Sequence, residues 1–293
     1  MTETISHSVS DEYLQRAGSL VAPAIAFCDA QGYPLGSALI AHLWQDAPTQ
    51  PVLTALAAYQ NADGGFGKRL EVDIASPVSN PFAARLAMQV LLSLREPASG
   101  ELVARLATWL QAAQNADGDW HFTPEVYESP LAPWFAGWTF PSLNPACCVA
   151  GLASRLGITT PEMLDRVAAL FAEKASLADA EGGEFYGMLP YVEYVPWVDI
   201  AQRDTWLDAL ARGIAATAAR DGYEDAGHFF DHALGGGPEV MRRLPYELIE
   251  EQAERLLAEA QDDGGWPTPY DPAWRPHQTA MALVTLAHLR DGI

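Results

Sequence analysis

The sequence predicts an all-α protein, an (α/α)6 toroid of six helical hairpins that spans residues 1–293 as a single domain. Two observations carry this prediction. A phrase that runs from a glutamine to an aromatic residue recurs along the chain, and the segments on its two sides differ in how their apolar residues are distributed. An amphipathic helix followed by a largely apolar helix, repeated along the chain, is the pattern expected for an outer layer of helices that covers an inner layer.

The recurring phrase contains Gln, two further residues, Asp-Gly and, a short step later, Phe or Trp. It reads AYQNADGGFG at 58–67, AAQNADGDWH at 112–121 and EAQDDGGWPT at 259–268, with weaker echoes at 28–36, 178–187 and 219–227. The mean spacing of the six copies is about 47 residues, which fits a repeat of paired helices. We interpret the phrase as a structural staple. Its glycine ends the first helix in a left-handed conformation, its aromatic ring packs over the turn, and its glutamine amide binds freed backbone groups.

The segments before and after the phrase have different hydrophobic patterns. Residues 99–114 and 246–261 precede a phrase, and each places its apolar side chains on one face, as an amphipathic helix does. Residues 80–94, 144–156 and 277–290 follow a phrase and are apolar nearly all round. We expect these last three segments to form part of the inner ring.

Two details refine the predicted inner helices. In the first of them, the polar residues Arg85, Gln89 and Ser93 are spaced four apart and lie on one thin line. Asn80 and Asn144 each precede a proline, which is the arrangement of an asparagine N-cap followed by proline at the first helical position.

Composition limits the classes of partner. The 293 residues carry a formal net charge of −21, which disfavours binding to nucleic acid or to an anionic membrane surface. The first ten residues lack the basic start and apolar run of a signal peptide, and the apolar run at 20–28 is too short to span a bilayer. The three cysteines, of which two are adjacent, favour a reducing compartment. We therefore predict a cytoplasmic protein without a membrane span, and we predict no cofactor.

The phrases QNADGGFG and QDDGGW resemble the glutamine–tryptophan repeat of the squalene–hopene cyclase and protein prenyltransferase superfamily. Residues 263–289 are similar to the family's stretch in which a Gly-Gly-Trp turn leads into a Gln-Thr-Ala helix, here Gln278, Thr279 and Ala280. Residues 72–91 are similar to a segment that runs from an Asp-Pro loop into an inner helix. The resemblance implies an α/α toroid whose cavity takes an isoprenoid or other apolar substrate.

The family's catalytic motifs are only partly present. The Asp-x-Asp-Asp acid of the triterpene cyclases is absent, and its nearest counterpart is Glu71-x-Asp73. The Asp, Cys and His zinc ligands of the prenyltransferases do not appear at the required spacing. Because a carboxyl keeps its proton at neutral pH when a second carboxyl lies beside it, we predict Asp73 as the catalytic acid and Glu71 as its partner.

Aromatic residues are concentrated in residues 120–141, which we call the aromatic loop and which holds seven of them. From this loop we predict substrate contacts by four residues, Trp134, Phe135, Trp138 and Phe140. A second aromatic run at 184–199 adds Tyr191 and Trp197, and His277 is predicted to reach the mouth of the toroid. Aromatic faces held over a cavity stabilise cations or enclose apolar ligands. The alternative is a satellite core beneath a long loop.

Three functions fit these residues. The first is acid-initiated cyclisation or rearrangement of an isoprenoid or other apolar substrate. The second is non-catalytic binding of a hydrophobic ligand or partner, and the third is a carbohydrate-active hydrolase or lyase, which α/α toroids also host. His228 and His232 are spaced like metal ligands on a helix, but no third ligand is evident, so we interpret them as a polar helix face. The oligomeric state is not predicted.

Overall fold

The structure is a computed structural model and describes residues 10–182 and 184–292. Its regular elements within these residues are helices, with no strand, which confirms the all-α prediction. The fifteen α-helices are α1 (Asp11–Ala30), α2 (Pro34–Trp44), α3 (Gln50–Ala57), α4 (Pro81–Leu92), α5 (Glu101–Ala113), α6 (Pro133–Ala136), α7 (Leu143–Arg155), α8 (Pro161–Lys174), α9 (Leu177–Gly182), α10 (Phe185–Tyr194), α11 (Arg203–Ala219), α12 (Ala226–Gly235), α13 (Gly237–Met241), α14 (Tyr246–Ala258) and α15 (Arg275–Asp291).

Three short 3-10 helices occur in the described residues, at Pro124–Glu128, Val195–Trp197 and Pro272–Trp274. None of the described helices is long and apolar enough to cross a membrane. The chain forms two compact units. The first contains the described residues up to Val52 together with those from Leu207 onward, and the second contains Leu53–Trp206. The six-hairpin toroid and the single domain stay predictions.

The repeat phrase has the predicted role of a staple. In its first copy the side-chain amide of Gln60 donates hydrogen bonds to the carbonyl oxygens of Gly64 and Leu102, each at 2.9 Å. In its second copy Gln114 donates to Gly118 and Met163, each at 3.1 Å. Each glutamine therefore ties its own turn to the next repeat, because Leu102 lies in α5 and Met163 in α8.

The glycine of the phrase does not end the helix, which differs from the prediction. Helix α5 ends at Ala113, and Gly118 follows in the turn with a φ of 93°. A Cβ atom at Gly118 would lie 2.5 Å from the carbonyl oxygen of Arg166, and one at Gly64 would lie 2.3 Å from that of Arg105. Glycine is required at these positions both for the left-handed backbone and for the close approach of the neighbouring helix.

The third copy of the phrase uses its glutamine differently. The side-chain oxygen of Gln261 accepts a hydrogen bond from Arg275 at 2.6 Å. The ring of Trp266 is buried, as predicted, and its indole nitrogen donates to the carbonyl oxygen of Leu256 at 2.8 Å. The turn of this copy therefore packs back on α14 through the aromatic ring.

Replacing Trp266 by Ala is expected to lower the free energy of unfolding by about 3 kcal/mol, the usual cost of deleting a large buried aromatic side chain. The measurement is urea denaturation of the intact chain at pH 7. Trp134→Ala is the matched control, because the Trp134 side chain is 51% exposed and its removal should change stability far less. Equal stability of the Trp266→Ala variant and the wild type would refute the structural role of the phrase.

The core of the second unit is built on α4, α7 and α10. Nine of the twelve residues of α4 are buried, and so are all nine residues from Pro145 to Ala153 in α7. Helix α7 packs against both α4 and α10. At Gly151 the backbones of α7 and α10 meet, since a Cβ atom there would lie 1.7 Å from the carbonyl oxygen of Glu193. The small residues of α7 thus allow the close helix contact that their run indicates.

The two predicted asparagine caps differ. Asn80 caps α4, because its side chain accepts a hydrogen bond from the backbone nitrogen of Ala83 at 2.9 Å. Asn144 does not cap a helix. It lies inside α7 with non-helical angles, φ −105° and ψ 113°, which is the extended conformation favoured before a proline.

In the first unit, α15 packs against α1 and α2, and α12 packs against α14 and α15. Helix α15 buries ten residues between Pro276 and Leu289, which fits its nearly uniform apolar sequence. The backbone nitrogen of Trp266 donates to the hydroxyl of Thr279 in α15 at 2.9 Å, so the last repeat phrase is fixed to the helix that follows it.

Candidate active site

The predicted acid pair and the aromatic loop lie together in the second unit. The backbone nitrogen of Ala132 donates to the carbonyl oxygen of Asp73 at 2.9 Å, and that of Ala75 donates to Pro130 at 3.1 Å. Ile74 and Leu131 form an isolated β-bridge between these two hydrogen bonds. The segment that carries Glu71 and Asp73 is therefore fixed directly to the loop that carries the predicted substrate contacts.

Asp119 holds the two ends of the aromatic loop together. Its carboxylate accepts hydrogen bonds from the backbone nitrogens of Trp120, at 2.8 Å, and Ser142, at 2.9 Å. Burial raises the pKa of Asp119 to about 7, although both hydrogen bonds act to lower it. Because its carboxylate accepts two backbone hydrogen bonds, Asp119 positions the loop.

Glu71 is the member of the pair whose surroundings favour a protonated acid. Its side chain is only 7% exposed. Burial, followed by the negative charge of Asp73, raises the pKa of Glu71 to about 8. The backbone nitrogen of Asp73 donates to the Glu71 carboxylate at 3.3 Å, and this bond and the charge of Arg85 offset part of the increase. Glu71 therefore keeps its proton at neutral pH. Asp73 is less buried than Glu71, since its side chain is half-buried.

Asp73 is not the N-cap of the helix that follows it. The cap of α4 is Asn80. Lys68, a cation that precedes the pair in the same segment, donates hydrogen bonds to the carbonyl oxygens of Ala58 and Gln60 at 3.0 and 2.9 Å. The acid pair thus lies ahead of α4 without serving as its N-cap.

The aromatic loop forms a packed cluster, which is the alternative considered for it. We call this the aromatic cluster, and its members are Ile74, Phe82, Phe122, Val126 and Phe135, with Val78, Leu131, Ala132, Trp138 and Phe140 packed against it. The ring centroids of Phe82 and Phe135 lie 4.6 Å apart, and those of Phe82 and Trp138 lie 4.9 Å apart. Ile74, the residue after Asp73, is a member of the cluster.

The four predicted contacts of the loop therefore have different environments. Phe135 is buried, Trp138 and Phe140 are half-buried at the edge of the aromatic cluster, and Trp134 is 51% exposed. Phe82, at the centre of the cluster, is not among the predicted contacts. Its position in the first turn of α4, directly after the Asn-Pro cap, is the signal that points to it.

Tyr191 and Trp197 lie elsewhere in the second unit. Tyr191 belongs to the core, since its ring stacks on Trp206 with centroids 5.7 Å apart and its hydroxyl accepts a hydrogen bond from the nitrogen of Ser176 at 3.0 Å. Trp197 is half-buried, with the guanidinium of Arg155 4.3 Å above its ring centroid. Both residues thus make structural contacts with other segments of the second unit.

His277 belongs to the first unit and lies in the first turn of α15. Its Nδ1 atom is 3.4 Å from the hydroxyl of Tyr33, and its ring makes an edge contact with Trp274. The predicted site residues therefore fall in both units, and the contacts described above join Asp73 to the aromatic loop.

The second unit also contains a buried ion pair. Arg85 binds Glu193 through two nitrogens, at 2.8 and 2.6 Å, and Gln89 donates to the same carboxylate at 3.0 Å. Arg85 and Gln89 are two members of the predicted polar line on α4. Their partner was not predicted, because Glu193 is hidden among aromatic residues in α10.

The two histidines of α12 do not converge on a metal site. His228 lies between Asp225 and Tyr270, and His232 faces the hydroxyl of Tyr223 at 2.9 Å. The described part of the chain contains no group of three His, Cys, Asp or Glu side chains placed to hold a metal ion.

No protein-family model, no curated protein and no solved structure matches the chain. A relationship to the terpenoid cyclase and prenyltransferase superfamily therefore stays a prediction from the repeat phrases and the segments that follow them.

Proposed function

We propose that the protein is an acid–base enzyme of terpene-cyclase type, which acts on an isoprenoid or another apolar, unsaturated substrate. The observation that carries the proposal is the environment of Glu71, a buried carboxyl beside Asp73 that retains its proton at neutral pH. Acid catalysts are tuned in this way by burial and by a second carboxyl. The repeat phrases supply independent support, because they resemble those of a superfamily with isoprenoid substrates.

In this proposal Glu71 is the acid and Asp73 is its partner, which exchanges the two predicted roles. The Glu71 O–H bond breaks as a C–H bond forms at the substrate double bond, which leaves a carbocation on the substrate and a carboxylate on Glu71. The positive charge of Arg85 and the backbone N–H of Asp73 both favour this ionised form of Glu71. They therefore stabilise the charge that develops during proton transfer.

The aromatic cluster supplies the apolar side of the proposed site. The faces of Trp138 and Phe140 stabilise a carbocation through their ring electrons. The Asp73 carboxylate then removes a proton from the rearranged cation, and transfer of that proton to Glu71 restores the starting state. The net reaction is an isomerisation that consumes no proton.

We place the enzyme in the cytoplasm. The three cysteines are free and buried, which fits the reducing compartment that their number and spacing favour.

A second candidate is a binding protein without catalysis. Two aromatic residues of the loop, Trp134 and Tyr127, are 51% and 48% exposed although most of their neighbours are packed. Flat aromatic faces on a braced loop are suited to an apolar ligand or to the ring of a sugar. This candidate does not use Glu71, so the two functions make different predictions.

The test is product formation from linear prenyl diphosphates and prenyl alcohols, followed by gas chromatography with mass spectrometry. Glu71→Gln preserves the side-chain shape and removes the acid, and we expect it to lower turnover at least about a hundredfold. Asp73→Asn should also lower turnover. Glu125→Gln is the matched control, because Glu125 is an exposed carboxylate on the neighbouring aromatic loop and its loss should have little effect.

Equal turnover by the wild type and Glu71→Gln would contradict the proposed acid. If the wild type forms no product, the enzymatic proposal fails for these substrates. Retention of the same alcohols or of oligosaccharides by the wild type, and its loss in Trp134→Ala, would then support the binding candidate.

A further inference from the structure

A chain of three polar side chains lies in the first unit, outside the proposed acid site. The Asp225 carboxylate lies 2.8 Å from Nδ1 of His228, and Nε2 of His228 lies 2.9 Å from the hydroxyl of Tyr270. Asp225 and His228 are buried, whereas Tyr270 is half-buried on the segment that joins the last repeat phrase to α15. We call this chain the Asp–His–Tyr relay.

The start of helix α12 holds the relay in place. Asp225 is the N-cap of α12, and its carboxylate accepts the backbone N–H of His228 at 2.8 Å in addition to the contact with the imidazole. A carboxylate that accepts the Nδ1 proton leaves Nε2 facing the phenol, where it accepts the proton of Tyr270. The resulting imidazolium lies between two negative oxygens, and this lowers the cost of forming a phenolate.

Nearby charges act in the same direction. Burial acts to lower the pKa of His228, but the hydrogen bond and the charge of Asp225, with contributions from Asp231 and Glu224, raise it overall. Burial acts to raise the pKa of Asp225, but its bonds to His228 and the charge of Arg255 on α14 lower it overall. An imidazole that readily takes up a proton is a better acceptor for the proton of Tyr270.

A cleft lies beside the relay and shares Asp225 with it. Its enclosed part is small, about 20 Å³, and its lining includes Trp266, Met281 and Gln278. The three charged side chains in its lining are all acidic: Asp225, Asp231 and Glu259. A cleft lined with one sign of charge attracts ligands of the other sign.

The second histidine of α12, His232, shows how the relay differs from ordinary packing. His232 and Tyr223 also form a histidine–tyrosine pair, at 2.9 Å, but both side chains are buried. Burial raises the pKa of Tyr223, so its phenol is kept protonated and away from solvent. Tyr270 differs because its hydroxyl is tied to an Asp–His pair and its side chain is partly open to solvent.

We propose that the Asp–His–Tyr relay makes Tyr270 an oxygen nucleophile for small cationic molecules with an acyl-type or sulfonyl-type electrophilic centre. In the reaction, an O–C or O–S bond forms at the phenol oxygen of Tyr270, and the bond to the leaving group breaks. The phenol proton moves to Nε2 of His228 and passes from there to the leaving group or to solvent. No oxidant, metal ion or cofactor takes part in this step.

The test is covalent labelling of the intact chain by aminoethylbenzenesulfonyl fluoride, a cationic probe whose fluoride leaves when a phenol oxygen attacks the sulfur. Peptide mass spectrometry reports the labelling rate of each tyrosine. Tyr127 and Tyr186 are internal references, because they are 48% and 54% exposed and would react first if exposure alone decided the rate. General-base removal of the phenol proton by His228 accelerates attack by the phenol oxygen. We therefore expect Tyr270 to react at least about ten times faster than either reference.

Two variants test whether the reactivity of Tyr270 comes from activation by His228 and Asp225 or only from its position in the fold. Asp225→Asn keeps a good helix cap but removes the negative charge. His228→Phe keeps an aromatic ring against Tyr270 but removes the proton acceptor. We expect each variant to remove most of the advantage of Tyr270 over the references and to shift its labelling profile to higher pH. Melting temperatures show whether each variant remains folded.

The proposal is overturned if Tyr270 in the wild type reacts no faster than Tyr127 and Tyr186. This comparison needs no variant, so it decides the matter even if both variants unfold. An unchanged advantage of Tyr270 in a folded His228→Phe variant also overturns it. The anionic probe carboxybenzenesulfonyl fluoride tests the ligand class, since equal labelling of Tyr270 by both probes contradicts the preference for cations.

Discussion

Replacing Glu71 by Gln is expected to raise the free energy of unfolding at pH 8 and above and to leave it nearly unchanged near pH 4. The carboxyl of Glu71 has a pKa of about 8 in the folded protein, compared with 4.5 for an ordinary glutamate. Between these two values the unfolded chain loses the proton while the folded protein retains it. The folded state therefore becomes less stable as the pH rises through this interval, by on the order of 4 kcal/mol. Glutamine is neutral at every pH and avoids this cost.

The measurement is urea denaturation of the wild type and Glu71→Gln at a series of pH values from 4 to about 9. The difference between the two proteins is the informative quantity, because a chain with a net charge of −21 has other groups that titrate in this range. Glu125→Gln serves as the exposed control and should show a small difference throughout. A difference for Glu71→Gln that does not change with pH would mean that this carboxyl ionises normally, and the proposed acid would lose its physical basis.

A stabilisation by Glu71→Gln that grows with pH would measure how much the buried Glu71 carboxyl destabilises the fold. A buried carboxyl without a functional role is readily replaced by a neutral residue, since the replacement is stabilising at neutral pH. A protonated acid beside Asp73 is therefore a feature that weakens the fold while it fits the proposed chemistry. Stability at high pH and turnover should consequently change in opposite directions in Glu71→Gln.

The parts of the fold that the sequence predicts well are those encoded by short spacings. Gln60 and Gly64 lie in one phrase, so the hydrogen bond between them follows from local geometry and recurs between Gln114 and Gly118. Asn80 caps α4 for the same local reason. The identical Asn-Pro dipeptide at Asn144 does not cap a helix with its side chain, because the side-chain oxygen of Asn144 is buried and accepts no hydrogen bond from the described part of the chain. The dipeptide alone therefore does not decide whether the cap forms.

The candidate site is predictable to a smaller degree. The spacing of Glu71 and Asp73 identifies the pair, but the member that keeps its proton depends on tertiary burial, which the sequence of the pair does not encode. An aromatic-rich loop predicts contacts among rings, yet the count of rings is the same for a cavity wall and for a packed cluster. Phe135 and Trp138 pack against Phe82, which comes from α4 rather than from the loop.

Glu193 shows a third limit of prediction. It is the only carboxylate within α10, a helix rich in aromatic and apolar residues, and the sequence offers no sign that two residues of α4 point at it. The spacing of Arg85 and Gln89 predicts a polar line on α4, but it does not predict which residue the line contacts. The partner is defined only when α7 packs against both α4 and α10 and so brings α10 into position.

Replacing Glu193 by Gln is expected to lower the free energy of unfolding by about 3 to 5 kcal/mol, the usual cost of breaking a buried ion pair by removing one partner. The Glu193 side chain is 2% exposed and that of Arg85 is 15% exposed, so the substitution removes the carboxylate that binds a buried guanidinium through two hydrogen bonds. The loss therefore reflects the cost of keeping the Arg85 charge buried more than the strength of the original pair. A double substitution with methionine at positions 85 and 193 removes both charges, and we expect it to recover most of the lost stability.

This prediction is coupled to that for Glu71, because the positive charge of Arg85 acts to lower the pKa of Glu71. In the wild type, Glu193 neutralises much of that charge. Once Glu193 is replaced by Gln, the charge of Arg85 should act more strongly on Glu71 and bring its pKa closer to the ordinary value. The stabilising effect of Glu71→Gln should then develop at lower pH when it is measured in the Glu193→Gln protein. A loss below about 1 kcal/mol for Glu193→Gln would indicate an exposed pair rather than a buried one. An unshifted pH profile would show that Arg85 does not influence the proposed acid.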